Sequence, residues 1–274
     1  MMTRKLAVVT GASRGLGRHI ATALAAKGCD LVLVGRDKPR LLAAGRDISD
    51  LNPKLRLSCL DCDLSLTDAP ALVAAHVKSA GGADILVNNA AIQGPIGKAW
   101  ETPGDEFDDV LRLNFLVPAA LCRAVIPQMM AKKAGWVVNI SGGGATSPRP
   151  MFSAYAAAKT ALVRFSETLA AEGAPIGLRV NSVAPGAFNS GMTDAMLAAA
   201  EIPQKELETA QMLKRGGNDE VPARAAELIA YLVAGEGRDV TGKLISAVWD
   251  DWRNLHKRSD LSTDIFTLRR IADG

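Results

Sequence analysis

The chain has 274 residues, of which 48% are hydrophobic and 22% charged, with a formal net charge of +3. This length suits one sizeable globular domain, and a charge so close to balance gives no reason to expect a nucleic acid or a membrane surface as partner. Aromatic residues make up only 4%, while Ala, Gly, Val and Leu abound, which favours parallel strands under close-packed helices over an all-β sandwich.

Short runs rich in β-branched residues and leucine alternate with longer alanine-rich stretches. Strands are predicted at 6–10, 30–34, 55–60, 84–89, 135–141, 177–183 and 243–248. Helices are predicted between them, near 15–27, 37–50, 68–80, 105–133, 152–172 and 220–234. This alternation predicts right-handed βαβ units, and therefore an α/β fold with a parallel sheet.

No repeat, low-complexity segment or long linker divides the chain, so residues 1–248 are predicted to form one domain. Residues 187–219 interrupt the alternation and are typical of a helical cover over a site. Residues 249–274 form a charged tail, predicted to be an interface or a lid. In the tail, Trp249 and Trp252 fit interface packing, and they also fit closure over a polar substrate from a neighbouring subunit.

The cysteines and the N-terminus set the expected location. Cys29, Cys59, Cys62 and Cys122 are predicted to be buried thiols, which suit the cytoplasm. Cys59 and Cys62 form C-x-x-C, but no second pair or histidine cluster completes a metal site, so no metal is expected. The apolar run after MMTRK is too short for a signal peptide, and no run reaches membrane-spanning length.

A glycine-rich loop, TGASRGLG, joins the first strand to the first helix. Glycines let the backbone turn sharply and approach a pyrophosphate, whose charge is favoured by the helix N-terminus. The position of the loop, after a buried strand and at the start of a βαβ unit, supports a dinucleotide site. The residues assigned to this site are Gly11, Ser13, Arg14, Gly15, Leu16 and Gly17.

The end of the second strand, LVLVGRD, distinguishes the two nicotinamide dinucleotides. A free ribose 2′-OH usually meets an Asp or Glu there, and a 2′-phosphate meets an Arg. Gly35 stands where the acid is expected and Arg36 follows. Arg36 alone also fits a solvated surface residue, but Arg14 in the loop would complete a two-pronged clamp. Asp37 is expected to cap a helix instead of opposing the phosphate. NADP(H) is therefore preferred over NAD(H).

Together these motifs resemble the short-chain dehydrogenase/reductase family from about Lys5 to about Leu244, in an NADP(H)-preferring form. The motifs are T-G-x-x-x-G-x-G at 10–17, CDL at 62–64, NNAA at 88–91, Asn114, Y-x-x-x-K at 155–159 and NSVAPG at 181–186. The resemblance implies a Rossmann-type, doubly wound, seven-stranded parallel sheet with helices on both faces. It also implies a homo-oligomer, usually a dimer or a homotetramer, and a small carbonyl or alcohol substrate.

The resemblance also implies which residues contact the cofactor. Asp63, with Leu64 beside it, would contact the adenine, and Asn88 and Ala90 the adenosine ribose side. The segment after the sixth strand would contact the nicotinamide. Its assigned residues are Pro185, Gly186, Phe188 and Ser190, the last replacing a threonine that is frequent in the family.

The reaction implied by the family is hydride transfer at a carbonyl or alcohol carbon, with one proton moved at the oxygen. Tyr155 suits this proton transfer if its pKa falls from about 10 toward neutrality. Lys159 lies one helical turn on, where its ammonium stabilises a phenolate and reaches the nicotinamide ribose. Pro118 has no N–H for the Asn114 carbonyl, which leaves that carbonyl to hold a water of a proton relay and also kinks the helix.

The family's substrate-orienting serine usually precedes the tyrosine by thirteen residues, and that position is Gly142. Ser141 is adjacent, but neighbouring strand residues point to opposite faces. Three interpretations are open. Ser141 turns inward because Gly142–Gly144 is flexible; the N–H groups of that run, or a hydroxyl of Thr146 or Ser153, replace the serine; or the protein mainly binds cofactor.

The rate cost of the missing serine favours an enzyme. Loss of one oxyanion donor costs about 10²–10³ in rate, which weakens a site without abolishing it. The leading hypothesis is therefore an NADP(H)-dependent carbonyl reductase or alcohol dehydrogenase. The alternative is a cofactor-binding protein, a sensor or inactive subunit, with little catalysis.

Overall fold

The structure, a computed structural model, describes residues 4–270. The strands are β1 Leu6–Thr10, β2 Asp30–Gly35, β3 Leu57–Asp61, β4 Ile85–Asn88, β5 Gly135–Ile140, β6 Leu178–Ala184 and β7 Leu244–Ser246. Each lies within about two residues of its predicted bounds. The pattern is easy to detect because strands buried on both faces have continuous apolar runs, as in β1, where all five residues are buried.

The helices follow the predicted alternation. They are α1 Gly15–Ala26, α2 Lys38–Leu51, α3 Ala69–Ser79, α4 Gly104–Leu111, α5 Val117–Ala131, α6 Ser153–Gly173, α7 Gly191–Ala198, α8 Gln204–Lys214 and α9 Val221–Ala234. Asp37 caps α2, since its side chain accepts from the Arg40 N–H at 3.1 Å. Helices α7 and α8 occupy the segment predicted to be a cover.

All seven strands are parallel, in the order β3-β2-β1-β4-β5-β6-β7. The register pairs Val8 of β1 with Val32 of β2 on one side and Leu86 of β4 on the other. The strand order reverses between β1 and β4. The carboxyl ends of these two strands therefore border a crevice, the place where open α/β sheets bind ligands. The predicted Rossmann-type fold in a single domain is confirmed.

Apolar side chains cover both faces of the sheet. One core cluster joins the sheet to α1, α2 and α9, and includes Ile20, Leu41 and Ile229. The other joins it to α3, α5 and α6, and includes Val73 and Leu121. A third, smaller cluster lies under α7 and α8 around the start of α6. The sheet is therefore fixed from both sides, and its carboxyl edge presents a rigid platform under the cover.

Helices α4 and α5 are joined by a π-helical turn, Arg112–Leu116, into one run. That run, Gly104–Ala131, has 28 residues, and an 18-residue window within it has a mean hydropathy of 1.5, so it is long and apolar enough to cross a membrane by length and composition. The expectation that no segment reaches this length is therefore wrong. Val125 and Met129 of the run pack into the core with α3, so these apolar residues have partners within the fold.

The C-terminal tail folds back on its own chain. After β7, a 3₁₀ turn covers Trp252–Lys257. The Trp252 indole is buried in the core, 5.6 Å from the ring centre of Tyr231, so the interface interpretation of Trp252 is wrong. Trp249, by contrast, is 86% exposed. The last part of the predicted tail, residues 271–274, lies outside the described residues.

Candidate active site

The glycine-rich loop has a shape that only small residues permit. Gly11 and Gly15 have φ of +64° and +53°, and a Cβ on Gly17 would overlap the carbonyl oxygen of Gly11. A Cβ on Gly15 would meet nothing within 4 Å, so the space above it is open. Helix α1 begins there with no side-chain cap, which leaves its first N–H groups for an anion. The loop therefore fits a pyrophosphate.

The loop is held by Thr10 and Asn89. The Thr10 hydroxyl accepts from the N–H groups of Asn89 at 2.9 Å and Ala90 at 3.0 Å, and Asn89 Nδ2 donates to the Thr10 carbonyl at 2.8 Å. The neighbouring Asn88 is turned inward and donates to Asn139 Oδ1 at 2.8 Å. Sequence reasoning chose the amide of Asn88 and missed that of Asn89, although the NNAA motif contains both.

The adenine end lies beyond β2 and β3. Asp63 accepts from the N–H and the hydroxyl of Ser65 at 2.9 and 2.8 Å, and these bonds, with the nearby Arg36 cation, lower the pKa of its carboxyl. The Leu64 side chain is buried in the core under α3, so any contact it makes with a nucleotide is through its backbone. Asp63 and Arg36 thus lie together at the end of the crevice.

The two candidate arginines of the phosphate clamp have different neighbours. A Cβ on Gly191, the first residue of α7, would lie 3.6 Å from Arg14 Nη2, so Arg14 is directed at the cover. Arg36 lies at the adenine end. A Cβ on Gly35 would lie 3.8 Å from the Ser13 hydroxyl, which places Ser13 near the end of β2. The two-pronged clamp of Arg14 and Arg36 stays a prediction, and Ser13 is a further loop residue beside the Gly35 position.

Tyr155 and Lys159 line a cavity of about 710 Å³ between the carboxyl edge of the sheet and the cover. Both are buried on α6, with Lys159 Nζ 5.6 Å from the centre of the Tyr155 ring. Lys159 Nζ donates to the Ile140 carbonyl at 2.8 Å, which fixes the ammonium at the end of β5. Leu16 and Ser141 line the same cavity.

Burial dominates the titration of this pair. It lowers the pKa of Lys159 to about 8, and it raises the pKa of Tyr155 above the usual value for a phenol. The cation that opposes the rise in the pKa of Tyr155 is Arg149, on the loop before α6. Sequence reasoning assigned this effect to Lys159 and missed Arg149, whose signal was a basic residue six positions before the tyrosine.

The residues predicted to contact the nicotinamide line the same cavity. They are Pro185, Gly186, Phe188 and Ser190. Gly186 has φ of +93°, which a side chain rarely permits. Ser190 caps α7: its hydroxyl accepts from the Met192 N–H at 3.3 Å, and its N–H donates to Thr193 Oγ1 at 3.1 Å. The Ser190 hydroxyl proton is left to donate into the cavity.

Asn114 lies in the π-helical turn and is fully buried. Its side chain exchanges two hydrogen bonds with the backbone of Ile92, at 3.0 and 2.9 Å. These bonds fix the loop after β4 against the long helix. Pro118 follows four residues later, so no α-helical bond to the Asn114 carbonyl forms there. The role of this carbonyl in holding a water stays a prediction.

Comparison with known proteins identifies the family. A family model described as short chain dehydrogenase matches residues 5–201. The chain is 31% identical over 245 residues to "Dehydrogenase/reductase SDR family member 4" of Homo sapiens, covering 89% of this chain and 86% of that protein. The chain belongs to the short-chain dehydrogenase family.

Solved structures of this family agree with the fold and differ in cofactor. A metagenomic short-chain oxidoreductase in complex with NADP superposes with a TM-score of 0.68 at 32% identity, covering 84% of this chain and 90% of that one. An NAD⁺-bound xylitol dehydrogenase gives a TM-score of 0.76 at 25% identity, covering 88% and 96%. Membership of the short-chain dehydrogenase family makes the protein an oxidoreductase, and the choice of dinucleotide must come from its own residues.

Gly142, which stands where the short-chain dehydrogenase family usually has a serine, faces Tyr155. A Cβ on Gly142 would overlap the Tyr155 hydroxyl and lie 3.1 Å from the ring carbon Cε1. The tyrosine thus occupies the space that a side chain at Gly142 would fill. Ser141 is buried, and its hydroxyl has no hydrogen-bond partner within residues 4–270, so it does not bond Tyr155. Ser141 lines the cavity but makes no hydrogen bond to the tyrosine hydroxyl, so its role in place of the family serine stays a prediction.

The remaining donors near the tyrosine belong to the backbone and to one hydroxyl. No hydrogen bond in the described part of the chain uses the N–H groups of Gly142, Gly143 and Gly144, all of which line the cavity. Thr146 also lines the cavity, while Ser153 is the first residue of α6 and is not among its lining residues. The glycine run therefore borders the space beside Tyr155, and its N–H groups have no partner within the described chain.

An ion pair joins the cover to the loop that precedes α6. Arg149 Nε and Nη2 each donate to the Glu206 carboxylate of α8 at 2.8 Å. The Arg149 guanidinium stacks 3.8 Å over the ring of Phe152, and its hydrogen bonds lower the pKa of Glu206. Both side chains of the pair are largely buried, so this bidentate contact is geometrically well defined.

Loss of the Arg149 cation is expected to displace the pH dependence of alcohol oxidation. The cation favours the phenolate, so Arg149→Gln raises the pKa of Tyr155, and the increase of kcat/KM with pH moves to higher pH. Glu206→Gln breaks the same ion pair but keeps the cation, so its profile stays in place. Profiles from both variants, measured with one substrate, separate the charge from the contact. An equal displacement in both would contradict this role of Arg149.

The cysteines are free thiols, as predicted. Cys29, Cys62 and Cys122 are buried and Cys59 is partly buried. Burial raises the pKa of Cys29 to about 11 and that of Cys122 to about 12, and it also raises the pKa values of Cys59 and Cys62. Raised pKa values disfavour the thiolate that redox chemistry requires. Among residues 4–270 no group of three or more His, Cys, Asp or Glu side chains could hold a metal ion.

Proposed function

We propose that the protein is an NADP(H)-dependent oxidoreductase that interconverts a carbonyl compound and its alcohol, with Tyr155 as general acid/base. The observation that carries this proposal is the burial of Tyr155 beside Lys159 in one cavity, whose wall also contains the nicotinamide segment Pro185–Ser190. A phenol and an ammonium buried together in a cleft are costly unless they act on a ligand.

In this proposal NADPH, when bound along the crevice, supplies the hydride. Tyr155 donates its proton to the substrate oxygen as charge develops there, and takes a proton back in the oxidation direction. Arg149 is the cation that favours the phenolate that remains, and Lys159, fixed by the Ile140 carbonyl, would add its charge from the next turn of the helix. A water held by the Asn114 carbonyl would be the first member of a relay that carries a proton from solvent to Lys159.

In this proposal the glycine run, Gly142–Gly144, replaces the missing serine as hydrogen-bond donor to the substrate oxygen. Gly142–Gly144 line the cavity and their N–H groups carry no hydrogen bond within the described chain, which makes these N–H groups candidate donors to a substrate oxygen. Thr146 lines the same cavity and is a second candidate donor. Backbone donors are fixed in space, so they need no side-chain ordering when substrate binds.

The preference for NADP(H) rests on the end of β2. Gly35 leaves no carboxylate to repel a 2′-phosphate, and Arg36 supplies a cation, with the Ser13 hydroxyl beside the same position. Arg36→Asp is expected to weaken NADPH binding by about 10- to 100-fold, the loss of one charge-assisted hydrogen bond, and to leave NADH binding nearly unchanged. Fluorescence titration with both cofactors measures this, and an equal loss for both would remove the argument for the 2′-phosphate.

The direct test follows NADPH absorbance with a panel of ketones, β-keto thioesters, quinones and keto-sugars. Turnover that Tyr155→Phe loses supports the proposal. The second candidate function, cofactor binding with little catalysis, is favoured by Gly142 alone. NADPH binding with no turnover on any of these substrates would favour it. Assembly as a dimer or tetramer, a cytoplasmic location, and the absence of nucleic acid and membrane partners remain predictions from the sequence.

A further inference from the structure

The C-terminal tail is bound along the outer edge of β7. The Leu244 N–H donates to the Phe266 carbonyl at 2.7 Å, and the Ser246 N–H donates to the Asp250 carboxylate at 2.6 Å. These two donors lie on the side of β7 that faces away from β6. The last strand of the sheet is therefore capped by its own chain.

Two buried charged side chains hold the backbone of the tail. Lys243 is 6% exposed, and its Nζ donates to the carbonyls of Thr263 and Ile265 at 2.8 and 3.0 Å. On α6, the buried Glu167 carboxylate accepts from the Leu268 N–H at 2.7 Å. With the bond to Leu244, four hydrogen bonds hold residues 263–268 through backbone atoms. Because these hydrogen bonds use only backbone atoms of the tail, they do not depend on which side chains residues 263–268 carry.

The residue at the centre of this fixed segment is strained and faces the cavity. Phe266 has φ of +57°, a conformation that bulky residues rarely adopt. Phe266 and Thr267 line the same cavity as Tyr155. Because the surrounding hydrogen bonds impose this conformation, the strained backbone places an aromatic ring at the candidate active site.

In the cavity wall around this ring, apolar residues lie beside the polar Ser246, Asp250 and Thr267. Leu244 in β7 and Trp249 shortly after this strand also border the cavity. The Trp249 indole is 86% exposed. From the cover, Phe188 and Met192 face the same space. A substrate whose reacting carbon lies at Tyr155 would place its substituent against this wall. An apolar substituent would gain by leaving water for contact with the aromatic and aliphatic side chains there.

We propose that the tail forms a specificity wall of the substrate site within one subunit, and that Phe266 selects carbonyl substrates with a bulky apolar or aromatic group. The proposal rests on the proposed oxidoreductase function for its reaction, but the binding it describes is measurable without turnover. Phe266 lies more than one hundred positions after Tyr155 in the sequence.

The test compares Phe266→Ala with Leu261→Ala in the full-length protein. Leu261 is a partly buried apolar residue of the same tail that packs against the same core and is not a cavity-lining residue. The probes are acetophenone and acetone, titrated calorimetrically into the NADP⁺ complex and assayed for turnover with NADPH. We expect Phe266→Ala to weaken acetophenone binding and raise its KM by about tenfold, a partial loss of aromatic burial, with acetone unaffected. Leu261→Ala leaves both probes unaffected.

The outcomes separate this proposal from the proposed function. Acetophenone that binds without turnover, and loses affinity in Phe266→Ala alone, would support the wall and contradict the reductase. Turnover of both ketones that is unchanged in Phe266→Ala would overturn the wall and leave the reductase standing. Equal losses in the two variants would show a general effect of the tail on stability, and would also overturn the wall. No binding of acetophenone to the wild type would overturn the wall, while turnover of any other carbonyl compound of the substrate panel would still support the reductase.

Discussion

Replacing Tyr155 with phenylalanine is expected to lower kcat for carbonyl reduction by about 10²–10⁴-fold, the contribution of one positioned general acid. The substitution keeps the ring and its packing under the cover, and removes only the hydroxyl that lies against Gly142. Because Tyr155 is only 7% exposed, bulk water has poor access to replace the missing proton donor. The measurement is NADPH oxidation at saturating substrate, with substrate KM determined in parallel.

The control for this prediction is cofactor binding. The hydroxyl makes no hydrogen bond to the glycine loop, so the affinity for NADPH should stay within about twofold of wild type, as judged by fluorescence titration. A Phe variant that keeps wild-type kcat would show that the proton comes from elsewhere, and the proposed mechanism would fail. A wild-type protein that binds NADPH and reduces nothing would favour the cofactor-binding alternative.

The fold could be predicted from sequence because each of its parts has a local signal. The strands of a parallel sheet are covered on both faces, so β1 and β2 have unbroken apolar runs, and the helices between them follow alanine-rich periodicity. Glycines at Gly11 and Gly15 mark a turn that only positive φ permits. The joined run of α4 and α5 agrees with the single helix predicted near 105–133, but the π-helical turn within it has no such local signal.

The contacts of the site were harder to predict because they join residues far apart in sequence. Arg149 meets Glu206 across 57 positions, and no local pattern relates them. A motif also locates a residue without giving its direction: Asn88 and Asn89 are neighbours, yet one faces the core and the other holds the glycine loop. Arg14 was in the right loop, but its guanidinium is directed at the cover.

Placing a methyl group on Gly142 is expected to reduce kcat/KM by about 10²-fold. The added Cβ overlaps the Tyr155 hydroxyl. Because the Tyr155 ring is packed in the small core cluster under the cover, we expect the hydroxyl to move away from the substrate oxygen. A displacement of about 1 Å at a reacting group is enough for a loss of this size. Steady-state kinetics of Gly142→Ala measure the effect, and a thermal unfolding curve shows how much stability the overlap costs, about 1–3 kcal/mol for an overpacked site.

Gly142→Ser separates the steric effect from the missing hydroxyl. Serine adds the same Cβ as alanine, and also a donor at the position where the family usually has one. We expect Gly142→Ser to be about tenfold more active than Gly142→Ala, because a donor to the substrate oxygen offsets part of the displacement. It should remain below wild type, whose tyrosine is packed against a glycine. A serine variant faster than wild type would mean that the glycine weakens the site, and that the backbone amides of Gly142–Gly144 do not replace the lost hydroxyl.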